Sequence, residues 1–159
     1  HKTYALNLKK NARSQKRKFL IKFYDFILDL DVTSPLRNMY DLESALSLLI
    51  NDKKALNIFS VNNSLRNPYF NMVEQKKNGY YSLVKKGTFF TRQSTPKVYD
   101  LNASFYLFKR IFFNLGHKTT ISNKSLIYTM PHICFDIDNQ ADFEYMEYLL
   151  KYNKLNFKL

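Results

Sequence analysis

Residues 26–61 read FILDLDVTSPLRNMYDLESALSLLINDKKALNIFSV, and they carry the clearest fold signal in the chain. The short apolar run Phe26–Leu30 is typical of a strand, and a proline ends the loop behind it. Asn38 then predicts a helix N-cap with Asp41 at the third helical position, and the buried stripe is Leu42, Ala45, Leu46 and Leu49. The run from Leu56 to Val61 predicts a second strand. A strand, a helix and a strand in this order predict an α/β layer with a right-handed crossover.

The composition indicates one folded domain. At 159 residues the chain is long enough for a core, and 45% apolar and 16% aromatic residues argue against disorder. No apolar run reaches the ~18–20 residues that cross a bilayer, and residues 1–4 do not begin a secretory signal. The single cysteine, Cys134, excludes an internal disulfide. We therefore expect a cytoplasmic protein with no membrane segment.

The formal charge of +12 is concentrated at the N-terminus. Residues 1–22 hold eight Lys or Arg and no acid, whereas the remainder holds 17 basic and 13 acidic residues. Lys9 to Phe23 is predicted to be a basic helix. A basic tract can bind phosphate backbones, but it is more often a solvated helix face, and codon usage in an AT-rich genome also favours Lys. We therefore do not expect nucleic acid as a partner.

The segment from Asn62 to Tyr99 shows no helical period. Asn67-Pro68 and Asn78-Gly79 are turn signals, and the aromatic segments between them indicate short hairpin strands. After this segment, the pattern predicts a strand from Asn102 to Phe108, a helix from Lys109 to Leu115 and a strand from Leu126 to Met130. Because no repeats or linkers are visible, we expect a single domain, 1–159, with an inserted β arm.

Cys134-Phe135-Asp136-Ile137-Asp138-Asn139 places two carboxylates two residues apart, before an amphipathic helical pattern from Ala141 to Leu150. In an extended backbone, side chains at i and i+2 share one face, about 6.5 Å apart. Proteins typically bind Mg²⁺ by one or two carboxylates together with substrate phosphates. At the end of a strand, Asp136 and Asp138 therefore predict a site for one Mg²⁺ or one polyphosphate. The alternative is a strand end followed by a capped helix.

Two further polar clusters are candidate binding sites. Thr33-Ser34-Pro35-Leu36-Arg37 follows a strand, at the position where open α/β sheets bind ligands, and its arginine suits a carboxylate or phosphate. The alternative is a turn in which Ser34 hydrogen-bonds locally and Arg37 is exposed. The run TRQSTPK (91–97), with Tyr99, Asn102 and Tyr106 beyond it, combines groups that recognise an anionic polyol. Its alternative is a solvated hairpin end.

Taken in order, these segments resemble the acylneuraminate cytidylyltransferases, the enzymes that make CMP-activated sialic acids. The resemblance is closest to the branch that acts on nonulosonic acids such as legionaminic acid, and it covers roughly residues 25–150. It rests on the runs LDLDVTSPLR (28–37), RNPYFNMVE (66–74), TRQSTPK (91–97), YDLNASFY (99–106) and DID (136–138).

The resemblance implies a Rossmann-like nucleotidyltransferase sheet of the α/β class. A nine-carbon keto sugar acid would attack CTP and release pyrophosphate. Mg²⁺ would be held by Asp136 and Asp138, which are then both metal ligands and catalytic residues. The resemblance implies further substrate-binding residues, namely Asp31, Thr33, Ser34, Arg37, Arg92, Gln93, Asn102 and Tyr106. It also implies a homodimer, in which the β arm, here residues 66–98, brings Arg92 into the neighbouring site.

The chain departs from this family in several places. Nothing in residues 1–24 resembles the Gly-, Arg- and Lys-rich loop that wraps the CTP phosphates, so we expect an N-terminally truncated fold with weak or absent turnover. Asp31 stands where sialate-specific members often carry Gln, and Asp100 where they carry Arg, so the sugar pocket is less cationic. Ala103 replaces the commoner Gly after Asn102. Two alternatives stay open: a non-catalytic dimerising remnant or scaffold subunit, and a basic nucleic-acid-binding module.

Overall fold

The structure is a computed structural model that describes residues 2–6 and 24–159. Its elements in chain order are β1 (Lys2–Leu6), β2 (Phe26–Leu30), α1 (Met39–Asn51), β3 (Asn57–Asn63), β4 (Val73–Gln75), β5 (Tyr81–Leu83), β6 (Tyr99–Lys109), α2 (Arg110–Asn114), β7 (Ser125–Thr129) and α3 (Gln140–Lys151). The mixed α/β class is therefore confirmed. The predicted basic helix, Lys9 to Phe23, lies outside the described residues.

A five-stranded sheet in the order β1-β2-β6-β3-β7 forms the centre of the larger part of the chain. β2 pairs antiparallel with both β1 and β6, whereas β3 and β7 run parallel. The succession of β2, α1 and β3 agrees with the prediction from residues 26–61. The sheet nevertheless places β6 between β2 and β3, a pairing that joins segments distant in the sequence. A Rossmann-like nucleotidyltransferase sheet stays a prediction.

The described residues divide into two compact units, one formed by residues 2–6, 24–61 and 102–159 and the other by residues 62–101. The predicted arm, 66–98, falls inside the second unit. There β4 and β5 form a hairpin, with Glu74 opposite Ser82. The predicted turn at Asn78-Gly79 joins the two strands, and Gly79 has a φ of +85°, which glycine adopts without a steric penalty. The role of this unit in dimerisation stays a prediction.

Both faces of the five-stranded sheet contribute to the core, because side chains alternate along a strand. One face of the sheet packs with α1 in a cluster that includes Phe26, Leu28, Ala45, Leu49, Ile58, Phe105 and Leu107. The predicted stripe of α1 is confirmed, since Leu42 and Leu46 pack against the same cluster. A smaller cluster holds Leu56, Phe108 and Phe112, with Ile27 and Tyr106 packed against it.

Capping boxes begin the two long helices. The side chain of Asn38 accepts a hydrogen bond from the Asp41 amide, and the Asp41 carboxylate accepts one from the Asn38 amide. Asn139 and Asp142 form the same arrangement at α3. The prediction of an N-cap at Asn38 is confirmed. Among the described residues, no helix is both long and apolar enough to span a bilayer.

Residues 133–138 belong to no strand or helix, so the prediction that Asp136 and Asp138 end a strand is wrong. The backbone of this segment is bonded to a loop instead of a neighbouring strand. The Phe135 carbonyl accepts a hydrogen bond from the Ser34 hydroxyl at 3.2 Å, and the Ile137 amide donates to the Thr33 carbonyl at 2.8 Å. These contacts use groups that a sheet ladder would otherwise require.

We predict that Ala103→Gly raises the free energy of unfolding by up to ~1 kcal/mol. Ala103 lies inside β6 with a φ of 54°, in the left-handed region that a β-carbon disfavours. The gain is limited because glycine also has more freedom in the unfolded chain. Urea unfolding measures the change. Ala45→Gly, in the interior of α1, is the control and should lose about 1 kcal/mol; the same loss at Ala103 would contradict the strain.

Candidate active site

The loop of residues 31–37 connects β2 to α1 and begins with a turn made by Asp31. Its Oδ1 accepts hydrogen bonds from the Thr33 amide at 3.1 Å and from the Thr33 hydroxyl at 2.9 Å. This is the local pattern by which an aspartate stabilises a turn. The Thr33 amide is also the main reason why the pKa of Asp31 lies below its usual value. Asp31 is therefore a carboxylate at neutral pH.

Arg37 closes this loop against β6. Its Nη1 donates to the carbonyl oxygens of Asp31 at 2.9 Å, Ser34 at 2.6 Å and Ser104 at 3.0 Å. It also lies 3.3 Å from the Ser104 hydroxyl. The side chain is half-buried, not exposed as the turn alternative expected. One end of the guanidinium thus organises the protein itself, and binding of a substrate anion by Arg37 stays a prediction.

Ser34 joins the loop 31–37 to the segment that carries the paired aspartates. The residue is fully buried, and its hydroxyl donates to the Phe135 carbonyl and lies 3.7 Å from the Cys134 sulfur. Burial raises the pKa of the Cys134 thiol above its usual value. Ser34 is therefore a structural contact between two loops, and direct substrate binding by its hydroxyl stays a prediction.

Asp136 and Asp138 lie in different surroundings on the segment 133–138. Asp138 is exposed, and its amide donates to an Asp142 carboxylate oxygen at 3.0 Å. Asp136 is half-buried, and its Oδ1 is shielded from solvent without a hydrogen-bond partner. A buried carboxylate oxygen without a donor is unfavourable, and a bound cation would relieve it.

These two carboxylates fit the way in which proteins hold Mg²⁺, by few protein oxygens with water and phosphate completing the shell. Among residues 2–6 and 24–159, no group of three or more His, Cys, Asp or Glu side chains is arranged to hold a metal ion. The Mg²⁺ site at Asp136 and Asp138 stays a prediction.

β6 contributes two more of the predicted residues, and it holds them differently. Asn102 is buried, and its Oδ1 accepts hydrogen bonds from the Ser60 hydroxyl at 2.6 Å and from the Ser104 amide at 3.2 Å. The second bond spans Ala103, the residue with positive φ. Asn102 therefore stabilises an irregularity in the strand, and contact with a sugar stays a prediction for this residue.

Tyr106 is half-buried and pairs across the sheet with Asp29. Burial is the main cause that raises the pKa of its hydroxyl, and the negative charges of Asp29 and Asp31 add to the effect. Tyr106 and Asp31 are therefore close enough to interact electrostatically. They present a neutral hydroxyl and a carboxylate, groups that hydrogen-bond the hydroxyls of a sugar.

Arg92 and Gln93 lie in the unit of residues 62–101, in a single helical turn from Arg92 to Ser94. Both side chains are exposed. The Arg92 guanidinium is oriented by the chain, because its Nη2 donates to the carbonyls of Ser64 at 3.2 Å and Leu65 at 2.8 Å. The sequence assigned both residues to the sugar side, and that assignment stays a prediction.

A cavity of about 250 Å³ lies beside Arg92 within this unit. Its lining includes three cationic residues, Arg66, Arg92 and Lys97, together with Tyr99. Asn67 braces the cavity wall, because its amide donates to the Thr95 hydroxyl at 2.8 Å and to the Pro96 carbonyl at 3.1 Å. The sequence analysis assigned no individual role to Arg66 or Asn67, and it included Lys97 only as a member of the candidate cluster 91–97. Their place in the runs 66–74 and 91–97 was the available signal.

Two curated proteins are similar to the chain, whereas no protein-family model matches it. It is 36% identical over 135 residues to post-translational flagellin modification protein B of Campylobacter coli, across 85% of this chain and 57% of the relative. It is 42% identical over 93 residues to CMP-N,N'-diacetyllegionaminic acid synthase of Campylobacter jejuni, across 58% of this chain and 39% of the relative. The chain belongs to a legionaminic acid cytidylyltransferase-like family. The resemblance stated from the sequence is thereby confirmed.

The matches to this family are partial in length. The chain spans 57% of the first relative, and the second match spans 39% of its relative. Because the chain spans only part of each relative, the activity of the complete relatives is a proposal for this chain.

We predict that Arg37→Ala lowers the free energy of unfolding by about 2 kcal/mol, because it leaves several carbonyl groups without their charged donor. Thermal and urea unfolding measure the loss. Arg66→Ala, which removes an exposed arginine, is the matched control and should change stability by less than ~0.5 kcal/mol. Equal effects of the two variants would show that Arg37 does not brace the loop.

Proposed function

We propose that the chain carries the CMP-transfer site of a cytidylyltransferase for nonulosonic acids of the legionaminic type. The substrates are CTP and a nine-carbon keto sugar acid. The proposal is supported by the family and by the hydrogen bonds that join the loop 31–37 to the segment 133–138. The single observation that carries it is the Asp136 oxygen that is buried without a donor.

The reaction forms one bond and breaks one bond at the α-phosphorus of CTP. The anomeric oxygen of the sugar acid bonds to this phosphorus, and the bond to the oxygen that bridges to the β-phosphorus breaks. Pyrophosphate leaves, and the hydroxyl proton passes to a base or to water. Because phosphoryl transfer depends largely on positioning and charge stabilisation, the protein's main task is to align the anionic substrates.

Asp136 and Asp138 are the proposed ligands of Mg²⁺. When bound, the ion neutralises negative charge on the triphosphate. Asp136 is suited to this role because its buried oxygen has no competing donor, and Asp138 is suited because it is exposed to an incoming nucleotide. The hydrogen bonds from Ser34 and Ile137 hold the intervening backbone, so the two carboxylates are placed before the substrates arrive.

The sugar acid is proposed to meet two chemically different sets of residues. Asp31 and Tyr106 offer a carboxylate and a neutral hydroxyl to sugar hydroxyl or amide groups. Arg92, Arg66 and Lys97 line the cationic cavity of residues 62–101, which suits the carboxylate of the sugar acid. We propose that in a homodimer this cavity serves the partner's substrate.

We predict that turnover by the 159-residue chain is weak or absent. The chain contains three glycines and no Gly-rich loop that could bind the phosphates of CTP. The assay is coupled release of pyrophosphate with Mg²⁺, CTP and legionaminic acid, and UTP serves as the nucleotide control. Any residual turnover should fall ~10²–10³-fold in Asp136→Asn, because a group that stabilises developing charge is lost. Mn²⁺ binding in the presence of CTP, followed by electron paramagnetic resonance, provides a readout that does not need turnover.

The outcomes separate catalysis from a scaffold role. Mn²⁺ binding that depends on CTP and is lost in both Asp136→Asn and Asp138→Ala supports the site. Binding that survives both substitutions, or that UTP supports equally well, contradicts it. Asp100→Asn, which removes an exposed carboxylate from the other compact unit, is the matched control and should leave binding unchanged.

We further propose that the unit of residues 62–101 makes the contact of a homodimer. It exposes large apolar side chains, since Phe90 is 93% exposed, Leu65 80% and Tyr80 75%. Exposed apolar surface of this kind is typical of protein contacts.

We predict that Phe90→Asp converts a dimer to a monomer, because it places a charge in the apolar contact. Size-exclusion chromatography with light scattering measures the mass. Phe143→Asp on α3 is the control and should leave the dimer intact. A wild-type chain that is monomeric at all concentrations would refute the arm, as would dissociation by Phe143→Asp alone.

A further inference from the structure

A buried acid–imidazole pair lies behind the candidate site. The Nε2 of His132 is 2.9 Å from Oδ2 of Asp41, and the two side chains are 5% and 1% exposed. The sequence analysis assigned no role to this histidine. In the structure, His132 directly precedes the segment 133–138 and contacts Asp41 in the first turn of α1.

Several hydrogen-bond contacts surround this pair. Asp41 accepts from the Asn38 amide at 2.8 Å and from the Tyr128 hydroxyl at 3.2 Å, in addition to its contact with His132. The other ring nitrogen, Nδ1, lies 3.0 Å from the Ile133 carbonyl oxygen. Both ring nitrogens therefore face oxygen atoms, and the contact with Asp41 is an ion pair when the imidazole carries its second proton.

The C-terminal residues cover this pair. The ring of Phe157 stacks on His132, with centroids 3.5 Å apart and planes inclined by 11°. One residue later, the Lys158 carbonyl accepts a hydrogen bond from the Asn38 side chain at 3.1 Å. The stacked ring and the Lys158 carbonyl therefore shield the pair and the start of α1 on this side.

The location of the pair relates it to the two loops of the candidate site. Asn38, whose amide binds Asp41, follows directly after the loop 31–37. His132 precedes the segment 133–138. The same two loops are joined further along by Ser34 to Phe135 and by Ile137 to Thr33. The ion pair and these hydrogen bonds thus lie along one line of contact, which we term the loop seam.

We propose that His132 is a positioning residue whose ion pair with Asp41 holds the segment 133–138 against the loop 31–37 and so sets the place of the Asp136 carboxylate. What that carboxylate binds rests on the proposed function; the holding of the loop seam does not. Removing one partner of a buried ion pair leaves an uncompensated buried charge, which is strongly destabilising. The effect should concentrate where the pair acts, at the loop seam.

Amide hydrogen exchange of His132→Gln, followed by NMR, tests the proposal. Glutamine keeps one donor towards Asp41 but carries no charge, and Asp41 itself is left in place because it also caps α1. We expect the Ile137 amide, which bridges the loop seam, to exchange at least about tenfold faster. The Lys109 amide, bonded to the Leu56 carbonyl at 2.9 Å, is the internal reference and should change less than about twofold.

Two further variants separate positioning from general loosening of the core. Tyr128→Phe removes a neutral donor from the same carboxylate and leaves the ion pair, so Ile137 should stay protected. Phe157→Ala keeps both partners but uncovers them, so exchange at Ile137 should rise, and this variant also serves if His132→Gln does not fold. Equal acceleration at Ile137 and Lys109, or no acceleration in either His132→Gln or Phe157→Ala, would overturn the proposal.

Mn²⁺ affinity in the presence of CTP tests the consequence for Asp136. We expect His132→Gln to raise the dissociation constant roughly tenfold and Tyr128→Phe to leave it unchanged. Selective exchange at Ile137 with unchanged affinity would overturn the claim that the pair sets the carboxylate. If the wild-type chain binds no Mn²⁺, the proposed function fails, whereas the exchange experiment still decides whether the pair holds the loop seam.

Discussion

The guanidinium of Arg37 is the contact on which the candidate site depends. One of its nitrogens donates to carbonyl groups of Asp31, Ser34 and Ser104, which belong to a loop and to the strand it packs against. A loop that leaves the sheet loses the neighbouring strand as a partner for its carbonyls, and buried carbonyls without donors are unfavourable. The arginine supplies those donors from within the loop. The backbone can therefore turn at the end of β2 and still lie against β6.

Buried polar groups carry this arrangement inward and account for the irregular strand. Ser34, Ser60, Asn102 and Ser104 are all buried, and each has hydrogen-bond partners. The network holds Ala103 in the left-handed region, which is unfavourable for a residue with a β-carbon. The hydrogen bond from the Ser104 amide to the Asn102 side chain spans Ala103 and compensates for this cost. Against this background of satisfied groups, the oxygen of Asp136 that lacks a partner is an exception. In native proteins such exceptions often mark ligand sites.

Local sequence patterns predicted helices correctly where a residue acts on its near neighbours in the chain, as an N-cap does. Asn38 caps α1 because its short side chain reaches the amide of Asp41, and apolar spacing marked the buried stripe behind it. The prediction that a strand ends at Asp136 was wrong because the backbone partner of this segment is distant in the sequence. An apolar run before a polar pair looks the same whether its backbone bonds to a strand or to a loop. The partner of Ile137 is Thr33, more than a hundred residues earlier, and no local pattern records such a bond.

The amino-acid sequence alone determined the α/β class, the starts of the long helices, the family and the list of candidate residues, because each depends on short patterns or on their order. The insertion of β6 between β2 and β3, the bracing role of Arg37 and Asn102, and the burial of His132 against Asp41 depended on tertiary structure. Each of these joins groups distant along the chain. Their stabilisation arises from hydrogen bonds and ion pairs that exist only after the loops have met.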